Sequence, residues 1–339
     1  MSLPTAPLGK NGPLVPRLGF GLMGLSAYYG APKPDAERFA VLDKAYELGY
    51  RFWDSADVYN DNEDMLGAYF AAHPDRRANI FLATKFAAPI KDSGHTENCS
   101  EPGYAKQACA RSLKRLGVDH IDLYYVHRLD RKTPIEKTVQ ALAELKAEGK
   151  IRHIGLSECS AESLRRAHKV HPITAVQLEY SPFALDIENP QIGLLATARE
   201  LGVAIVAYSP IGRGILSGAI KSRADFAEGD FRAFLPRFSE ENFAKNFKLV
   251  DQILAVARAK GVTGSQVTLA WLLRQGEDIF PIPGTTNVDR VVENVESLKI
   301  ELSEEEAKRI RDASEAAEVF GERYPPAMTV ALFADTPPL

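Results

Sequence analysis

From residue 17 onward, short apolar runs alternate with stretches whose apolar residues recur every three or four positions, almost to the end of the chain. A short apolar run bounded by turn residues marks a strand buried in a parallel sheet, and the three-to-four spacing marks an amphipathic helix. This reading predicts strands at 18–24, 51–53, 79–85, 121–127, 151–157, 173–179, 203–208 and 278–282. Pro34 and Asp35 open the first helix, along which Phe39, Leu42 and Tyr46 recur before Gly49 closes it as a left-handed cap. Met65, Leu66, Tyr69 and Phe70 mark a second, and residues 104–116, ended by Gly117, a third. Thr133-Pro134-Ile135-Glu136 has the form of a capping box with proline at the first helical position, and Val139, Leu142 and Leu145 continue its apolar face to Gly149. Ser160 caps the next helix; later ones are predicted at 192–201, 267–274 and 288–297, and from Ser303, where Glu306 completes another capping box.

Eight strand and helix pairs is the count of a (β/α)8 TIM barrel, an α/β fold that a doubly wound open sheet imitates in alternation alone. What the strands deliver at their exits separates the two. They end in Asp54, Lys85, His127, Ser157-Glu158, Gln177 to Glu179, Tyr208-Ser209 and Pro283-Gly284-Thr285. An open sheet gathers its chemistry at one switch point, whereas a barrel brings every strand end to one mouth. Polar groups at seven exits fit a ring-shaped site. No linker divides the chain, so residues 1–339 are expected to form one domain, with a core over about 17–316 and a tail over about 317–339. Segments 87–103 and 209–242 are too long to be mere turns and are expected to roof the mouth. The apolar tail run Met328 to Phe333 is expected to pack on the barrel, either over the mouth or along its side.

Composition narrows the partners. The chain is 45% hydrophobic and 25% charged, enough apolar surface for a large core, and its net charge of −4 gives no electrostatic case for nucleic acid or an anionic membrane. No apolar run approaches the length of a membrane span, and the first residues lack the basic flank and apolar stretch of a signal peptide. A cytoplasmic protein is expected. Cys99, Cys109 and Cys159 are odd in number and scattered, as suits reduced thiols. His95, Glu97 and Cys99 lie close together but match no zinc spacing, so no metal is expected.

The grouping of Asp54, Tyr59, Lys85 and His127 makes chemical sense if a tyrosine must give up a proton. A free phenol titrates at about 10. A neighbouring ammonium stabilises the phenolate, and a carboxylate keeps that ammonium charged and oriented. Tyr59 can then act as general acid, Lys85 as the group that lowers its pKa, Asp54 as the partner of Lys85, and a neutral His127 as the donor that orients a carbonyl. Taken singly each has a structural reading, as a core ion pair, a core phenol or a buried imidazole. The set stabilises an alkoxide and supplies no hydride, so it calls for a cofactor. Ser209-Pro210-Ile211-Gly212-Arg213-Gly214-Ile215-Leu216-Ser217-Gly218 is a glycine-rich loop after a strand, suited to close approach of backbone amides to a pyrophosphate. Arg290 and Asn294 stand in the first turns of the helix after the eighth strand, where an arginine would meet a phosphate.

As a set these residues resemble the aldo-keto reductases across nearly the whole chain. The matching motifs are Asp54 to Tyr59, Ala83-Thr84-Lys85, Asp119 to Arg128, Gly149 to Ser157, and Ile282-Pro283-Gly284-Thr285-Thr286 with Arg290 to Asn294. The resemblance implies a TIM barrel that binds NADPH extended across its mouth and reduces a small-molecule carbonyl substrate, with Asp54, Tyr59, Lys85 and His127 as the catalytic tetrad. It also implies that Ser157 and Gln177 hold the nicotinamide carboxamide, with Glu158 beside it, and that Tyr208 stacks on the ring while Gly21 and Met23 lie beneath. The loop from Ser209 to Gly218 would strap the pyrophosphate, and Thr285, Arg290, Glu293 and Asn294 would hold the adenosine end. Many members have Asn after the serine where this chain has Glu158, and Ser157-Glu158-Cys159 looks like the branch whose motif reads Ser-Glu-Ala or Ser-Glu-Cys. Gly284 stands where another branch has a lysine for the 2'-phosphate, which leaves Arg290 to select NADPH. Phe86, Phe231, Phe234 and Phe238 suggest aromatic or apolar carbonyls. Three functions are compatible with the sequence: a reductase, a cofactor-binding redox-sensing subunit like the potassium-channel β subunits of the same family, and a metal-dependent barrel hydrolase or isomerase. It leaves open whether the chain acts as a monomer or a homo-oligomer.

Overall fold

The computed structural model describes residues 2–90, 96–317 and 319–339. A hairpin, β1 (Thr5–Pro7) with β2 (Leu14–Pro16), precedes eight parallel strands in the sequential order β3 (Phe20–Gly21), β4 (Phe52–Asp54), β5 (Phe81–Phe86), β6 (Ile121–Val126), β7 (Ile151–Ser157), β8 (Ala175–Glu179), β9 (Ala204–Tyr208) and β10 (Ile279–Pro281). The first and last of these eight meet as well. Gly19 and Gly21 donate backbone hydrogen bonds to the carbonyls of Pro281 and Pro283, at 2.9 and 3.2 Å, which closes the sheet into a barrel. The seam is tight because it is built on glycine: a Cβ on Gly284 would lie 2.5 Å from the Gly21 carbonyl oxygen, and one on Gly21 2.7 Å from that of Ile282.

Strand alternation divides the core in two. Phe52, Ala83, Leu123, Tyr125, Ala175, Ala204, Val206, Phe280 and Ile282 fill the barrel together with Ala6, Leu8 and Val15 of the hairpin. Their neighbours along the strands, Trp53, Leu82, Tyr124, Ile154, Val176 and Ile205 among them, pack outward against the helices. The hairpin plugs the end where the strands begin: the Lys10 amide donates to the Gly202 carbonyl at 2.6 Å, and Arg17 to the carbonyls of Leu273 and Gly276. The sequence reading missed it, although Asn11-Gly12 between its two strands is a hairpin-turn signal and Asn11 takes φ +59°.

The predicted helices appear as Asp35–Glu47, Asn62–Ala72, Pro102–Leu116, Ile135–Ala147, Ala161–Val170, Leu194–Leu201, Gly264–Leu273, Val288–Glu296 and Glu304–Ala316. Ser160 caps its helix through Ser163, and the Ser303–Glu306 box forms. The Thr133 box does not. Pro134 itself takes the cap position and Thr133 Oγ1 donates to Asp130 Oδ2 at 2.8 Å, because a residue before proline is held out of helical geometry. Segment 209–242 is not an open loop but a series of 3-10 turns leading into the 21-residue helix Glu240–Lys260, capped by Ser239 and closed by left-handed Gly261. The three cysteines are buried and free, and no helix among the described residues is long and apolar enough to cross a membrane.

The seam gives a direct test. Gly284→Ala should lower stability by about 1–3 kcal/mol, since backbone rather than a yielding side chain opposes the new methyl. Gly103→Ala, whose Cβ meets nothing within 4 Å, should be neutral or stabilising by up to about 1 kcal/mol. Chemical denaturation of the two variants measures both; equal effects would contradict the seam.

Candidate active site

Period-two alternation carries the chemistry of the strand exits inward. Asp54 follows Phe52 on β4, Lys85 follows Ala83 on β5, His127 follows Tyr125 past β6, Ser157 ends β7, Gln177 and Glu179 lie on β8, and Tyr208 ends β9. Register makes them neighbours: Asp54 pairs with Ala83, Lys85 with Tyr125, Ser157 with Gln177, and Glu179 with Tyr208.

At the centre Lys85 is fully buried. Its ammonium donates to Asp54 Oδ1 at 2.5 Å, to the Ser55 carbonyl at 2.7 Å and to Tyr59 Oη at 3.3 Å, and the other Asp54 oxygen accepts from Gln177 Nε2 at 2.7 Å. Burial pushes the Asp54 carboxyl up and the Lys85 ammonium down, and each partner's charge opposes that shift in the other. Tyr59 arrives from the turn after β4. Arg115 holds that turn through the carbonyls of Asp57 and Asn60 and through Glu63 and Asp64, while Asn62 ties it to Ser55, Leu22 and Ser26. The Tyr59 ring meets His127 edge-on at 5.8 Å. Burial and then the charges of Arg128 and Lys85 keep the His127 imidazole well below its usual range, so it is neutral at neutral pH. The expected lowering of the Tyr59 pKa is not found. Burial and the Asp54 charge hold the phenol well above its ordinary value, because Lys85 is already neutralised by Asp54.

The remaining exits are engaged in a second ionic layer that the sequence did not reveal. Glu158, in left-handed backbone geometry at φ +50°, accepts from both terminal nitrogens of Arg323 at 3.1 and 2.9 Å and from Tyr208 Oη at 2.9 Å. Arg213 reaches Glu179 at 3.1 Å and lies over the ring of Tyr324, 4.8 Å from its centroid. Tyr324 Oη is 3.4 Å from Tyr208 Oη; burial acts to raise its pKa, but the guanidiniums of Arg213 and Arg128 outweigh it and lower the value. Ser157 Oγ accepts from Arg128 at 3.1 Å. The tail therefore crosses the mouth rather than lying along the barrel's side, and the Ala334 backbone pairs with Glu158 and Ser160. Its apolar residues Met328 and Val330 stay exposed. Arg323 and Tyr324 lie 165 and 116 residues from their partners, and no local signal marked them.

Farther round the mouth, Gly212 to Ser217 form a tight turn in which Arg213 and Gly214 have positive φ, and Leu216 is buried. Pro283, Gly284, Thr285 and Thr286 lead to the helix Val288–Glu296, whose cap is Asn287. Arg290 on its first turn is exposed; its backbone N–H donates to Asn287 Oδ1 at 3.2 Å, and its guanidinium makes no hydrogen bond or ion pair among the described residues. Glu293 instead accepts from Thr263 Oγ1 at 2.6 Å, and Asn294 is buried with its carbonyl accepting from Ser297. Lys33, absent from the sequence-based set, approaches the Thr286 carbonyl at 3.5 Å. Met23 packs with Ala27, Ala56 and Tyr59. Of the phenylalanines expected to touch substrate, Phe86 stacks outward on Tyr124 and Phe238 is buried beside Phe226. Phe231 does reach the mouth, edge-on to Tyr28 at 5.6 Å. His95 lies outside the described residues, among which no cluster of three or more metal-ligating side chains occurs. A groove of about 780 Å³ lined by Lys245, Gln252, Lys308 and Phe320 opens on the barrel's outer side and includes none of the mouth residues.

A closed parallel barrel with a buried Asp–Lys–Tyr cluster at its carboxyl-end mouth agrees with the matches to known proteins. Residues 17–315 match the model of the Aldo/keto reductase family. The chain is 51% identical to "Aldo-keto reductase yakc [NADP(+)]" of Schizosaccharomyces pombe and 50% identical to "Aldo-keto reductase str7" of Strobilurus tenacellus, in each case over 100% of this chain and 99% of the relative. Among solved structures it resembles the glycerol dehydrogenase AKR11B4 of Gluconobacter oxydans, with a TM-score of 0.81 and 25% identity over 95% of this chain and 97% of that one. It resembles the aldo-keto reductase Tm1743 with a TM-score of 0.72 and 27% identity over 92% and 100%. The chain belongs to the aldo/keto reductase family, a family of oxidoreductases that act on carbonyl compounds.

Two outcomes follow from the buried charges. Arg323→Met strands Glu158 without its bidentate partner and should cost about 3–5 kcal/mol, with the tail becoming the first site of limited proteolysis. Burial, with the charge of Glu63 adding to it, pushes the Asp57 carboxyl up to about 8. A carboxyl raised in the folded state binds protons the unfolded chain has released, so stability falls as pH rises from about 4 to 8. Asp57→Asn should flatten that part of the stability profile, as melting temperatures across the range would show.

Proposed function

We propose that the chain reduces aldehydes or ketones with NADPH, and that Tyr59 delivers the proton to the carbonyl oxygen. The observation that carries this reading is the Tyr59 hydroxyl 3.3 Å from a fully buried ammonium whose other two donors are fixed by Asp54 and the Ser55 carbonyl. Its phenol, held well above the usual value by burial and by Asp54, keeps its proton through the neutral range, as an acid catalyst must. When the proton leaves, the phenolate forms beside Lys85, and neutral His127 is the donor best placed to orient the carbonyl.

The reduced nicotinamide, when bound, supplies the hydride. Several observations fit NADPH as its carrier. Gly21 and Gly284 leave a side-chain-free seam at the mouth, Arg213 and Gly214 already hold the positive φ of a strap, and Arg290 is a cation on a capped helix start whose guanidinium has no partner among the described residues. The printed name of the fission-yeast relative includes NADP(+). Gly21, Met23 and Tyr208 would flank the nicotinamide, and Ser157, Gln177 and Glu158 are the polar groups beside it. Residues Ser209, Pro210, Ile211, Gly212, Arg213, Gly214 and Leu216 would strap the pyrophosphate. Ile282 to Thr286 with Arg290, Glu293 and Asn294 would take the adenosine end. Ser157, Gln177 and Arg213 have protein partners now, so binding exchanges those hydrogen bonds rather than adding to them.

Tyr59→Phe should lose about 10³-fold in kcat/KM for a reactive aldehyde while NADPH still quenches tryptophan fluorescence with nearly unchanged affinity. Wild-type reduction should stay flat from pH 6 to 9, because the acid loses its proton only above the ordinary phenol range. A decline centred below pH 8 would remove Tyr59 as the proton donor. Arg290→Ala should raise the KM for NADPH about tenfold and leave that for NADH unchanged.

A further inference from the structure

The charges in the mouth do not cancel. Asp54 is taken by Lys85, Glu158 by Arg323 with both its oxygens, and Glu179 by Arg213 with Arg323 at 3.7 Å. Arg237, under the tail, is satisfied by the carbonyls of Gly321 and Phe183 and by the Phe183 ring. Arg128 is left over. One of its terminal nitrogens donates to the His127 carbonyl at 2.7 Å and to Ser157 Oγ at 3.1 Å. Its other terminal nitrogen and its Nε make no hydrogen bond, and it enters no salt bridge, among the described residues. It follows His127 directly in the chain; Tyr208, Tyr324, Tyr59 and Tyr28 stand close enough to couple to its charge, as does the Glu158 carboxylate, whose oxygens are already taken by Arg323. Tyr28 meets Tyr59 edge-on at 6.3 Å and Phe231 at 5.6 Å, so the guanidinium shares the mouth with an aromatic wall.

A half-buried guanidinium with its Nε and one terminal nitrogen free of protein partners can complete itself with an anion, and its planar fork matches a carboxylate. We infer that the carbonyl substrate carries a carboxylate, and that Arg128 binds it beside Tyr59 while the aromatic wall of Tyr28 and Phe231 receives the body of the molecule. This rests on the reductase reading and names its substrate class: an aldehyde or ketone acid with an apolar or aromatic frame. Arg128 is thereby a specificity determinant, touching the part of the substrate that does not react.

The test compares matched ligands that differ only in charge. Benzoate and benzamide are titrated against the NADPH-loaded protein, and kcat/KM is measured for 3-formylbenzoate and 3-formylbenzamide, with wild type, Arg128→Lys and Arg128→Met. The wild type should favour the carboxylate member of each pair by about 10- to 100-fold, the range of a charge-assisted hydrogen-bonded pair. Arg128→Met should bring the ratio to about one whatever change is common to both ligands, and Arg128→Lys should retain part of it, since it keeps the charge and loses the fork. A wild-type ratio near one, or a ratio that survives Arg128→Met, overturns the assignment. If neither aldehyde turns over while benzoate still binds in preference to benzamide through Arg128, the reductase reading fails and the carboxylate site stands. Should Arg128→Met not fold, the lysine variant and the wild-type ratios decide the question alone.

Discussion

Everything in the mouth is placed relative to one buried ammonium. Lysine has three N–H donors, and those of Lys85 are spent on Asp54, the Ser55 carbonyl and Tyr59. A buried charge with a missing partner is among the most costly defects a fold can hold. The demand for three partners therefore locks β4, β5 and the turn that carries Tyr59 to one another, and Gln177 extends the lock across the barrel to β8 through the second Asp54 oxygen. The phenol is positioned by the requirements of the charge beneath it, and the same pairing leaves little positive potential to lower its pKa.

How much of this was readable from sequence depends on the range of the interaction. The eight barrel strands and their order were legible, because burial in a parallel sheet writes a continuous apolar run. Asp54, Lys85 and His127 were legible because they end those runs. The helix Glu240–Lys260 had its signals too, a serine cap, Phe243, Leu249, Val250, Ile253 and Ala257 on its buried face, and Gly261 as stop, but the preceding aromatic and glycine-rich turns obscured where it began. Arg128 stood in plain view beside His127, and only the accounting of partners in three dimensions sets it apart from other mouth arginines. Arg323 and Tyr324 were not legible at all. Their meaning lies in contacts with Glu158, Tyr208 and Arg213, and nothing in a polar tail segment indicates which distant carboxylate it will meet.

The two ends of the barrel are managed by opposite means. At the strand starts the hairpin supplies Leu8 and Val15, apolar residues that finish a core and leave nothing to react. At the strand ends the closure is ionic, built from Glu158, Glu179 and the arginines that meet them. Hydrophobic closure is permanent, whereas ion pairs at an opening can be exchanged for a ligand that brings its own charges and hydrogen bonds. Glu158 thus has a physical role: it is the counter-ion of the tail.

The same arrangement fixes where the chain's two termini lie. The hairpin holds the first residues at the bottom of the barrel, while Thr336 is held by Ile135, the first residue of a helix that leaves the top, and Thr336 and Pro337 by Arg166 in the middle of the next helix. A circular permutant of this protein therefore needs a joining segment that runs the full height of the barrel, about 20 Å for six or more extended residues. A fusion partner on the amino end would sit on the face opposite the chemistry, and one on the carboxyl end would hang beside the entrance.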